Sequence, residues 1–413
     1  MAQPNIRPFI SRKVGLTDSG LAVPLIAGLR LNGYLDPKTR IEVIDVQSGR
    51  LQNDALQNYY TTVIERQILQ RSNITAYITD EESSGNSISG QNSIAKYNRV
   101  AGTEFNYISP GGNYDFGAKL SGAFDPSHLN DNLYSSLYAD YFSQAIAFST
   151  VFNNIGKNYI AALGFTPRLY NFDAARDATV RMGYLENTSS LSYSIYPKDK
   201  SLINTHLFQA GSSVFLNENG SMNEVDLNAK YSILFANRRL FYIGYTQTNL
   251  NLPFLTDIFS GLNEFKPQKY NFGYFTIDLE SNFLKPFSWI LDAQSGGYFN
   301  GHRFSLTGSI KQRIQPWVNL ELDLNYNYIT VLGKSVNPYI IAPTFEVDFN
   351  KNLFWTIFAQ YNTNISNFNI NNRIQWHFRP LSDIYLVYAS NYQTPNLTNN
   401  KYMLTLKIVY LID

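Results

Sequence analysis

Histidines are the side chains of this 413-residue chain that could act as a base or bind a metal near neutral pH. The four histidines are His128, His206, His302 and His377. None lies in an HExxH motif or at another spacing typical of metal ligands. The chain also has no cysteine, which excludes a thiolate nucleophile and a thiolate metal site. We therefore expect no enzyme activity, no metal and no cofactor.

Charged side chains are more informative about the fold, because they alternate with apolar side chains along the chain. In residues 318–329, VNLELDLNYNYI, apolar or aromatic residues occupy every second position, and Asn, Glu or Asp lies between them. A period of two is typical of a β-strand with two different faces. One face is apolar, and the other is acidic and rich in amides.

The neighbouring segments 303–313, 341–349, 373–379 and 401–413 alternate in the same way. Their polar positions hold charges of both signs, and we predict that these side chains line a water-filled pore. The predicted pore-lining residues are Arg303, Lys311, Arg313, Glu321, Asp323, Glu346, Asp348, Arg373, His377 and Arg379. Such charges would form salt bridges that stiffen the wall, or a transverse field that selects ions, and both can hold together.

Alternation of this kind along a whole chain is the pattern of a closed transmembrane β-barrel, with lipid outside and water inside. We predict an all-β fold, a large antiparallel transmembrane β-barrel of about 22 strands, within a range of about 16–24. It would form one domain over residues 1–413, since no linker or composition break divides the chain. The residues predicted to face lipid are Leu320, Leu322, Leu324, Trp376, Leu404 and Leu406.

The composition agrees with an exported membrane protein. Aromatic residues make up 15%, with 30 Tyr and 28 Phe, which suits the aromatic girdles of a barrel. No apolar run reaches the roughly 18 residues of a transmembrane helix. A net charge of +1 argues against a nucleic-acid partner. The chain begins MAQPNIRPF without an apolar signal segment, so we expect that a signal or a longer segment has been removed.

Turn-forming residues separate the strand-like segments by connections of two lengths. Short ones, such as SPGGN at 109–113, alternate with longer ones, such as EESSGNSISGQNS at 81–93. Outer-membrane barrels have this asymmetry, with the short turns on the periplasmic side. We also predict a loop and then a strand over residues 51–69, and a β-bulge near Tyr274 and Phe275, where the apolar phase shifts.

The long connection from Leu250 to Phe265 differs from the others because it is apolar. Its large apolar side chains are Leu252, Phe254, Leu255, Ile258, Phe259, Leu262 and Phe265. A contiguous patch of this kind is costly to leave in water. The loop would either fold inward and narrow the pore or dock on another protein. We favour docking, since a charged pore wall is a poor surface for these side chains.

Four stretches carry a resemblance to a known family: PFISRKVGL at 8–16, VPLIAGLRLNGYL at 23–35, GFTPR at 164–168 and RIQWHFRPLSDIYLVY at 373–388. They resemble a family of Bacteroidota outer-membrane β-barrels of unknown function, usually found C-terminal to a family-9-like carbohydrate-binding module. The resemblance spans the chain and implies the same barrel. The module is absent here, and the chain ends Ile412-Asp413 where family members tend to end on an aromatic residue, so the module's sugar-binding role is not carried over.

Two classes of function follow. The first is a channel or transport barrel for small polar or sugar-like solutes in the bacterial outer membrane, because a barrel of about 22 strands without a plug domain encloses an open lumen. The second is a non-catalytic accessory or structural subunit of a larger outer-membrane complex for export, uptake or barrel assembly. An enzyme acting on lipid or glycan is a third alternative. The expected partners are outer-membrane lipid and, through residues 250–265, other outer-membrane or surface proteins.

Overall fold

A computed structural model of the protein describes residues 6–16, 23–49, 56–84, 96–198, 201–257 and 264–411. These residues are mostly β-strand, and the helical structure among them is one 3-10 turn, Ser11–Lys13. No helix in the described part of the chain is long and apolar enough to cross a membrane.

Eight strands follow one another from residue 25 to residue 155. They are β1 (Leu25–Asp36), β2 (Thr39–Ser48), β3 (Leu56–Gln67), β4 (Asn73–Ser84), β5 (Lys96–Ile108), β6 (Tyr114–Phe124), β7 (Leu133–Phe142) and β8 (Ile146–Ile155). The strand predicted within residues 51–69 is therefore confirmed as β3, while the loop predicted before it lies outside the described residues. The short connections hold Pro, Gly and Asn; for example, the SPGGN turn joins β5 to β6.

A small hairpin follows β8, and fourteen further strands follow the hairpin. The hairpin consists of β9 (Tyr170–Asp173) and β10 (Ala178–Arg181). The later strands are β11 (Tyr184–Ile195), β12 (Ile203–Asn217), β13 (Met222–Phe235), β14 (Leu240–Asn251), β15 (Lys269–Glu280), β16 (Phe287–Tyr298), β17 (Gly301–Ile314), β18 (Val318–Val331), β19 (Lys334–Val336), β20 (Tyr339–Asn350), β21 (Leu353–Asn362), β22 (Asn367–Arg379), β23 (Ser382–Gln393) and β24 (Thr398–Val409).

All strands outside the small hairpin form one 22-stranded sheet in which every recorded pair is antiparallel. Apart from β19, each strand of the sheet pairs with the following one, and β8 pairs with β11 across the hairpin insertion. Both β19 and β20 pair with β18 and lie end to end along it, so the 22 strands occupy 21 side-by-side positions. The prediction of an all-β fold with one large antiparallel sheet is confirmed.

The connections differ in length at the two ends of the strands. At one end, which we call the short-connection end, the turns include residues 37–38, 109–113 and 143–145. The long-connection end carries residues 125–132, 156–183 and 252–268. Strands of this sheet alternate in direction, so β1, β3 and every second position after them run from the long-connection end to the short-connection end. The long-connection end also carries turns as short as residues 299–300 and 332–333, so the asymmetry predicted from the sequence holds for only part of the sheet.

The register gives the sheet two chemically different faces. Residues directly opposite one another on neighbouring strands share a face. Lys311, for example, lies opposite Glu321, while Ile310 lies opposite Leu322. We call the face with Lys311 the charged face and the face with Leu322 the apolar face. All six residues predicted to face lipid lie on the apolar face.

The β-bulge predicted near Tyr274 and Phe275 is wrong. The pairing of β15 with β14 runs without a shift from Lys269 to Glu280. The apolar phase changes for another reason: Tyr270 and Phe272 stay on the charged face, where they pack in an aromatic cluster with Phe265. Side chains that pack against a covering loop can be apolar on either face, so the alternation is lost while the register continues.

Candidate functional site

Nine of the ten predicted pore-lining residues lie on the charged face, from β17 to β22. The tenth, Arg379, comes after a register shift at the end of β22, where it lies opposite Ser382. Its guanidinium donates a 2.8 Å hydrogen bond to the Tyr410 hydroxyl and lies over that ring. The register thus brings the predicted residues onto one surface, and their contact with a pore stays a prediction.

One salt bridge crosses between the basic strand β17 and the acidic strand β18. Lys311 Nζ lies 2.9 Å from Glu321 Oε2, and the Ser309 hydroxyl donates to the other Glu321 oxygen. Both charged side chains are about one-third exposed, so the pair contributes at most about 1 kcal/mol to stability. Asp323 lies opposite Ser309 and forms no recorded salt bridge within the described residues.

The two arginines of β17 are held by neutral groups. Arg303 donates to the side-chain oxygens of Asn327 (2.8 Å) and Ser305 (2.6 Å). Arg313 donates to the carbonyls of Phe283 and Lys285 at 2.8 and 2.7 Å, so it fastens the turn between β15 and β16. The sequence placed Arg313 correctly on the charged face but gave no sign of this turn contact.

An acidic group that was not predicted from the sequence lies beside β17. Asp278 on β15 lies directly opposite Asp292 on β16, with Glu280 two positions along, all on the charged face. Asp292 in turn lies opposite Thr307 of β17. A basic strand therefore runs between two acidic ones, since Glu321 and Asp323 follow on β18. The alternation of apolar and polar residues in FTIDLE (275–280) and WILDAQ (289–294) could have predicted that these carboxylates share one face.

Each of the four histidines contacts another side chain: His302 Nε2 lies 3.5 Å from Ser295 Oγ, and His206 Nδ1 lies 2.7 Å from the Tyr231 hydroxyl. His377 pairs with Asp383 across the β22–β23 hairpin. His128 Nδ1 lies 2.9 Å from Asp125 Oδ1, while its Nε2 is occupied by the Arg181 guanidinium at 2.6 Å. This arrangement joins the 125–132 connection to β10 and leaves neither ring nitrogen for a nucleophile. No group of three or more metal-ligating side chains occurs among the described residues.

A second feature of the charged face was not predicted: two chain segments pack over it. Residues 156–169, which we call the inner segment, place Tyr159 in a fully buried cluster with Val100, Tyr134 and Tyr184 of the sheet. The Tyr159 hydroxyl lies 3.0 Å from that of Ser121, and burial raises the pKa of the Tyr159 phenol. The charged face is thus apolar where this segment covers it.

The side chain of Asn98 holds the inner segment at two points. Its Nδ2 donates to the Ile160 carbonyl at 2.8 Å, and its Oδ1 accepts from the Ala162 N–H at 2.9 Å. Further along, Arg168 pairs with Glu224 of β13 and lies 4.0 Å over the Phe215 ring. The inner segment therefore crosses the charged face from β5 to β13.

Residues 6–16, which we call the N-terminal strap, lie on the inner segment. Arg7 and Phe165 exchange both backbone hydrogen bonds, at 2.9 and 2.7 Å, and the Ile10 N–H donates to the Leu163 carbonyl at 2.6 Å. Lys13 Nζ donates to the Ala162 carbonyl. Two of the stretches behind the family resemblance, 8–16 and 164–168, are therefore in direct contact although about 150 residues separate them in the chain.

Gly164 allows this close contact. A Cβ at this position would lie 2.1 Å from the Arg7 carbonyl oxygen and 2.7 Å from that of Pro8. Backbone atoms on both sides leave no room for any side chain, so a glycine is required for the strap to lie on the inner segment.

The apolar loop that begins at Leu250 packs, at its described ends, on this chain itself. Leu252 and the fully buried Phe265 join the aromatic cluster at the long-connection end with Tyr270 and Phe299. The Leu255 carbonyl accepts from the Ala174 N–H, and the Phe254 ring lies 5.5 Å from the Arg176 guanidinium. Three of its predicted contact residues lie outside the described residues: Ile258, Phe259 and Leu262. Docking on another protein stays a prediction.

The stability of the β9–β10 hairpin, which contacts that loop, should depend on pH. A hydrogen bond from Arg176 is the main reason that the pKa of the Asp173 carboxyl lies below its ordinary value. Because the folded-state pKa is depressed, the stabilisation is present above the unfolded pKa of about 3.9 and is lost as the pH falls through the folded value. We expect the protection of residues 170–181 against hydrogen exchange, relative to the intrinsic exchange rate at each pH, to decrease over that range. Asp173→Asn should give fast exchange already at neutral pH, whereas exchange unaltered by Asp173→Asn would contradict this role.

Asp177 provides the matched control for that measurement. It lies in the same hairpin, is exposed, and has a positive φ of 49° that asparagine tolerates. Asp177→Asn should leave the exchange rates unchanged. Equal acceleration by both substitutions would mean that a general charge effect, and not the Arg176 pair, holds the hairpin.

Comparison with known proteins adds no identification. The sequence matches no protein-family model, and the search of curated proteins found no significant match. The family resemblance carried by residues 8–16, 23–35, 164–168 and 373–388 therefore stays a prediction.

Proposed function

We propose that the protein is an outer-membrane β-barrel that lets small polar or sugar-like solutes cross the bacterial outer membrane. The observation that carries the proposal is the two-faced register, which continues through all 21 positions of the sheet. Strands with lateral hydrogen bonds, one apolar face and one polar face satisfy both the backbone and the side chains when lipid covers one side and water the other.

Exposure on the apolar face supports the membrane placement. Leu404 and Leu406 are 67% and 64% exposed, and Leu322 on an interior strand is still 42% exposed. Large apolar side chains are exposed in this way on most strands of the sheet. Soluble monomers rarely expose contiguous apolar patches of more than a few hundred Å², so apolar exposure that recurs from strand to strand favours a non-aqueous environment on this face. The hydrocarbon of a lipid bilayer is an environment in which an exposed apolar surface costs no free energy.

The passage would lie along the wall that the inner segment leaves uncovered. On that wall a cavity of about 250 Å³ lies among Asp292, Thr307, Ser309, Asp323 and Asn325, and the apolar side chains of Ile290, Leu324 and Ile340 also line it. Carboxylate, hydroxyl and amide groups can exchange hydrogen bonds with a hydroxylated solute as they do with water. The neighbouring Lys311 contributes the opposite charge.

Removing the positive charge at Lys311 tests this proposal. Lys311→Gln leaves Glu321 and Asp323 without a nearby cation, so the passage should become more selective for cations. The reversal potential in a planar bilayer under a KCl gradient should shift accordingly, while stability changes by less than about 1 kcal/mol. Thr307→Ser, on the same face of the same strand, is the neutral control. Open steps with an unaltered reversal potential would place the conducting path elsewhere.

A second candidate function is a non-catalytic subunit of a larger outer-membrane complex for export, uptake or barrel assembly. The feature that favours it is the apolar connection from Leu250 to Phe265 at the long-connection end, because its large apolar side chains suit contact with a protein partner. The bilayer measurement also separates the two candidates. No current, together with stoichiometric co-purification of another outer-membrane protein, would favour the subunit.

A further inference from the structure

Two carboxylates lie opposite each other on the charged face, near the short-connection end. Asp115, the second residue of β6, is the register partner of Asp140 on β7, and Ser149 of β8 lies opposite Asp140 in turn. Directly opposite residues on adjacent strands have Cβ atoms about 4.5–5.5 Å apart. The register therefore brings oxygen-bearing side chains of three neighbouring strands into one row.

The oxygens of this row are buried and have no hydrogen-bond donor. Asp140 is 4% exposed and Ser149 is 8% exposed. Asp115 Oδ1, Asp140 Oδ1 and Ser149 Oγ have almost no accessible surface, and none of these atoms has a hydrogen-bond partner within the described residues. A carboxylate oxygen that loses its water without gaining a partner is strongly unfavourable, so this arrangement requires a compensating ligand.

No basic side chain of the described residues supplies that compensation. Lys119, four residues along β6 from Asp115, is engaged by Glu104 at 2.9 Å. Neither Asp115 nor Asp140 forms a recorded salt bridge in the described ranges. Like charges directly opposite each other also destabilise a sheet. Repulsion and lost hydration thus act at the same point, and a cation between the two carboxylates would relieve both.

Tyr138 forms one border of this row. Its ring lies over Gly117, where a Cβ would come within 2.0 Å of Tyr138 Cε1. The Tyr138 hydroxyl lies within hydrogen-bonding reach of the Asp115 carboxyl. The ring shields the two carboxylates from water on the side of the long-connection end, whereas the opposite side is only a few residues from the ends of β6 and β7. A cation can therefore enter from the short-connection end.

We infer that Asp115 and Asp140 bind a calcium ion, with Ser149 as a neutral ligand and water completing the shell. Hard cations prefer oxygen ligands, and this row offers carboxylate and hydroxyl oxygens without an imidazole or a thiolate. Calcium accepts about six to eight oxygens in irregular geometry, whereas magnesium demands a near-ideal octahedron. Two carboxylates also balance the charge of a divalent ion better than that of sodium.

The sequence-based expectation of no metal depended on spacing along the chain. Asp115, Asp140 and Ser149 come from three strands and meet only across the sheet, so no local motif could report them. The inference does not rest on the proposed function, because these oxygens are buried whether or not the protein conducts.

A calcium titration of the full chain tests the inference. The protein in an uncharged detergent is freed of cations with a chelator, and Ca²⁺ is then titrated in a calorimeter. We expect one Ca²⁺ per chain and weaker binding of Mg²⁺ and Na⁺. Asp140→Asn keeps the size of the side chain and removes its charge. It should lower the affinity for Ca²⁺ by at least about tenfold, because the number of charged ligands sets calcium affinity.

Two further variants make the result specific. Ser149→Ala removes a neutral ligand and should cause a smaller loss of affinity. Asp226→Asn is the matched control: Asp226 lies on the charged face of β13, and its carboxylate accepts a 2.6 Å hydrogen bond from Thr248. This variant should leave the affinity unchanged.

Thermal unfolding gives a second readout that does not depend on the calorimeter. Calcium should raise the unfolding temperature of the wild type, because a ligand that binds only the folded state stabilises it. Without calcium, Asp140→Asn should unfold no earlier than the wild type, since the repulsion from Asp115 is gone. Adding calcium should then raise its unfolding temperature less.

Three outcomes would overturn the inference. Calcium binding that survives in both Asp115→Asn and Asp140→Asn would place the ion elsewhere. Equal affinities for Ca²⁺, Mg²⁺ and Na⁺ would mean a general attraction of cations and not a calcium site. No calcium binding, with one more proton bound by the wild type than by Asp140→Asn at neutral pH, would mean that the two carboxylates share a proton.

Discussion

Arginine in place of Leu322 should destabilise the protein in a lipid bilayer by about 2–4 kcal/mol, whereas arginine at the adjacent Asp323 should cost much less. The two residues are neighbours on β18 but lie on opposite faces: Leu322 opposite Ile310 and Pro343, Asp323 opposite Ser309 and Ala342. A guanidinium at residue 322 would enter hydrocarbon. At residue 323 it would remain on the charged face, in water.

The measurement is the free energy of unfolding in urea for protein folded into lipid vesicles. Asp323→Arg serves as the matched control, because it introduces the same side chain one residue away on the same strand. Equal losses at the two positions would contradict the assignment of the faces. A wild-type chain that stays monomeric and soluble without detergent would contradict the membrane placement itself.

The same alternation explains why so much of the fold could be predicted from the sequence. In VNLELDLNYNYI each residue reports its own face, and a one-residue slip in register would exchange the faces of the whole strand. Neighbouring strands with the same pattern can therefore pair in only one phase. This is why Leu320 and Leu404, about 80 residues apart, were both placed on the apolar face without any knowledge of their neighbours.

The parts that could not be predicted depend on contacts between distant segments. Tyr134 and Val100 break the alternation on the charged face because Tyr159 packs over them, and nothing local identifies that partner. Likewise, Arg313 fits the pore-lining pattern, but its guanidinium is held by carbonyls of a different turn. Alternation reports which face a residue occupies, and it cannot report what covers that face.

Gly164→Ala should detach the N-terminal strap from the inner segment and widen the passage. The added Cβ would lie 2.1 Å from the Arg7 carbonyl oxygen, and a backbone atom engaged in the Arg7–Phe165 hydrogen bonds cannot move aside without breaking them. Overpacking of this kind costs about 1–3 kcal/mol. We expect larger single-channel conductance in planar bilayers and faster cleavage by trypsin after Arg12 and Lys13, since both residues lie in the strap.

Gly33→Ala is the matched control for this substitution, because a Cβ at Gly33 meets nothing within 4 Å. It should change neither conductance nor cleavage. The two measurements separate the position of the strap from its effect on the passage. Faster cleavage of Gly164→Ala at unchanged conductance would mean that the strap covers a part of the charged face that solutes do not use. Unchanged cleavage would contradict this prediction, because it would mean that the strap stays on the inner segment despite the added methyl group beside the Arg7 and Pro8 carbonyls.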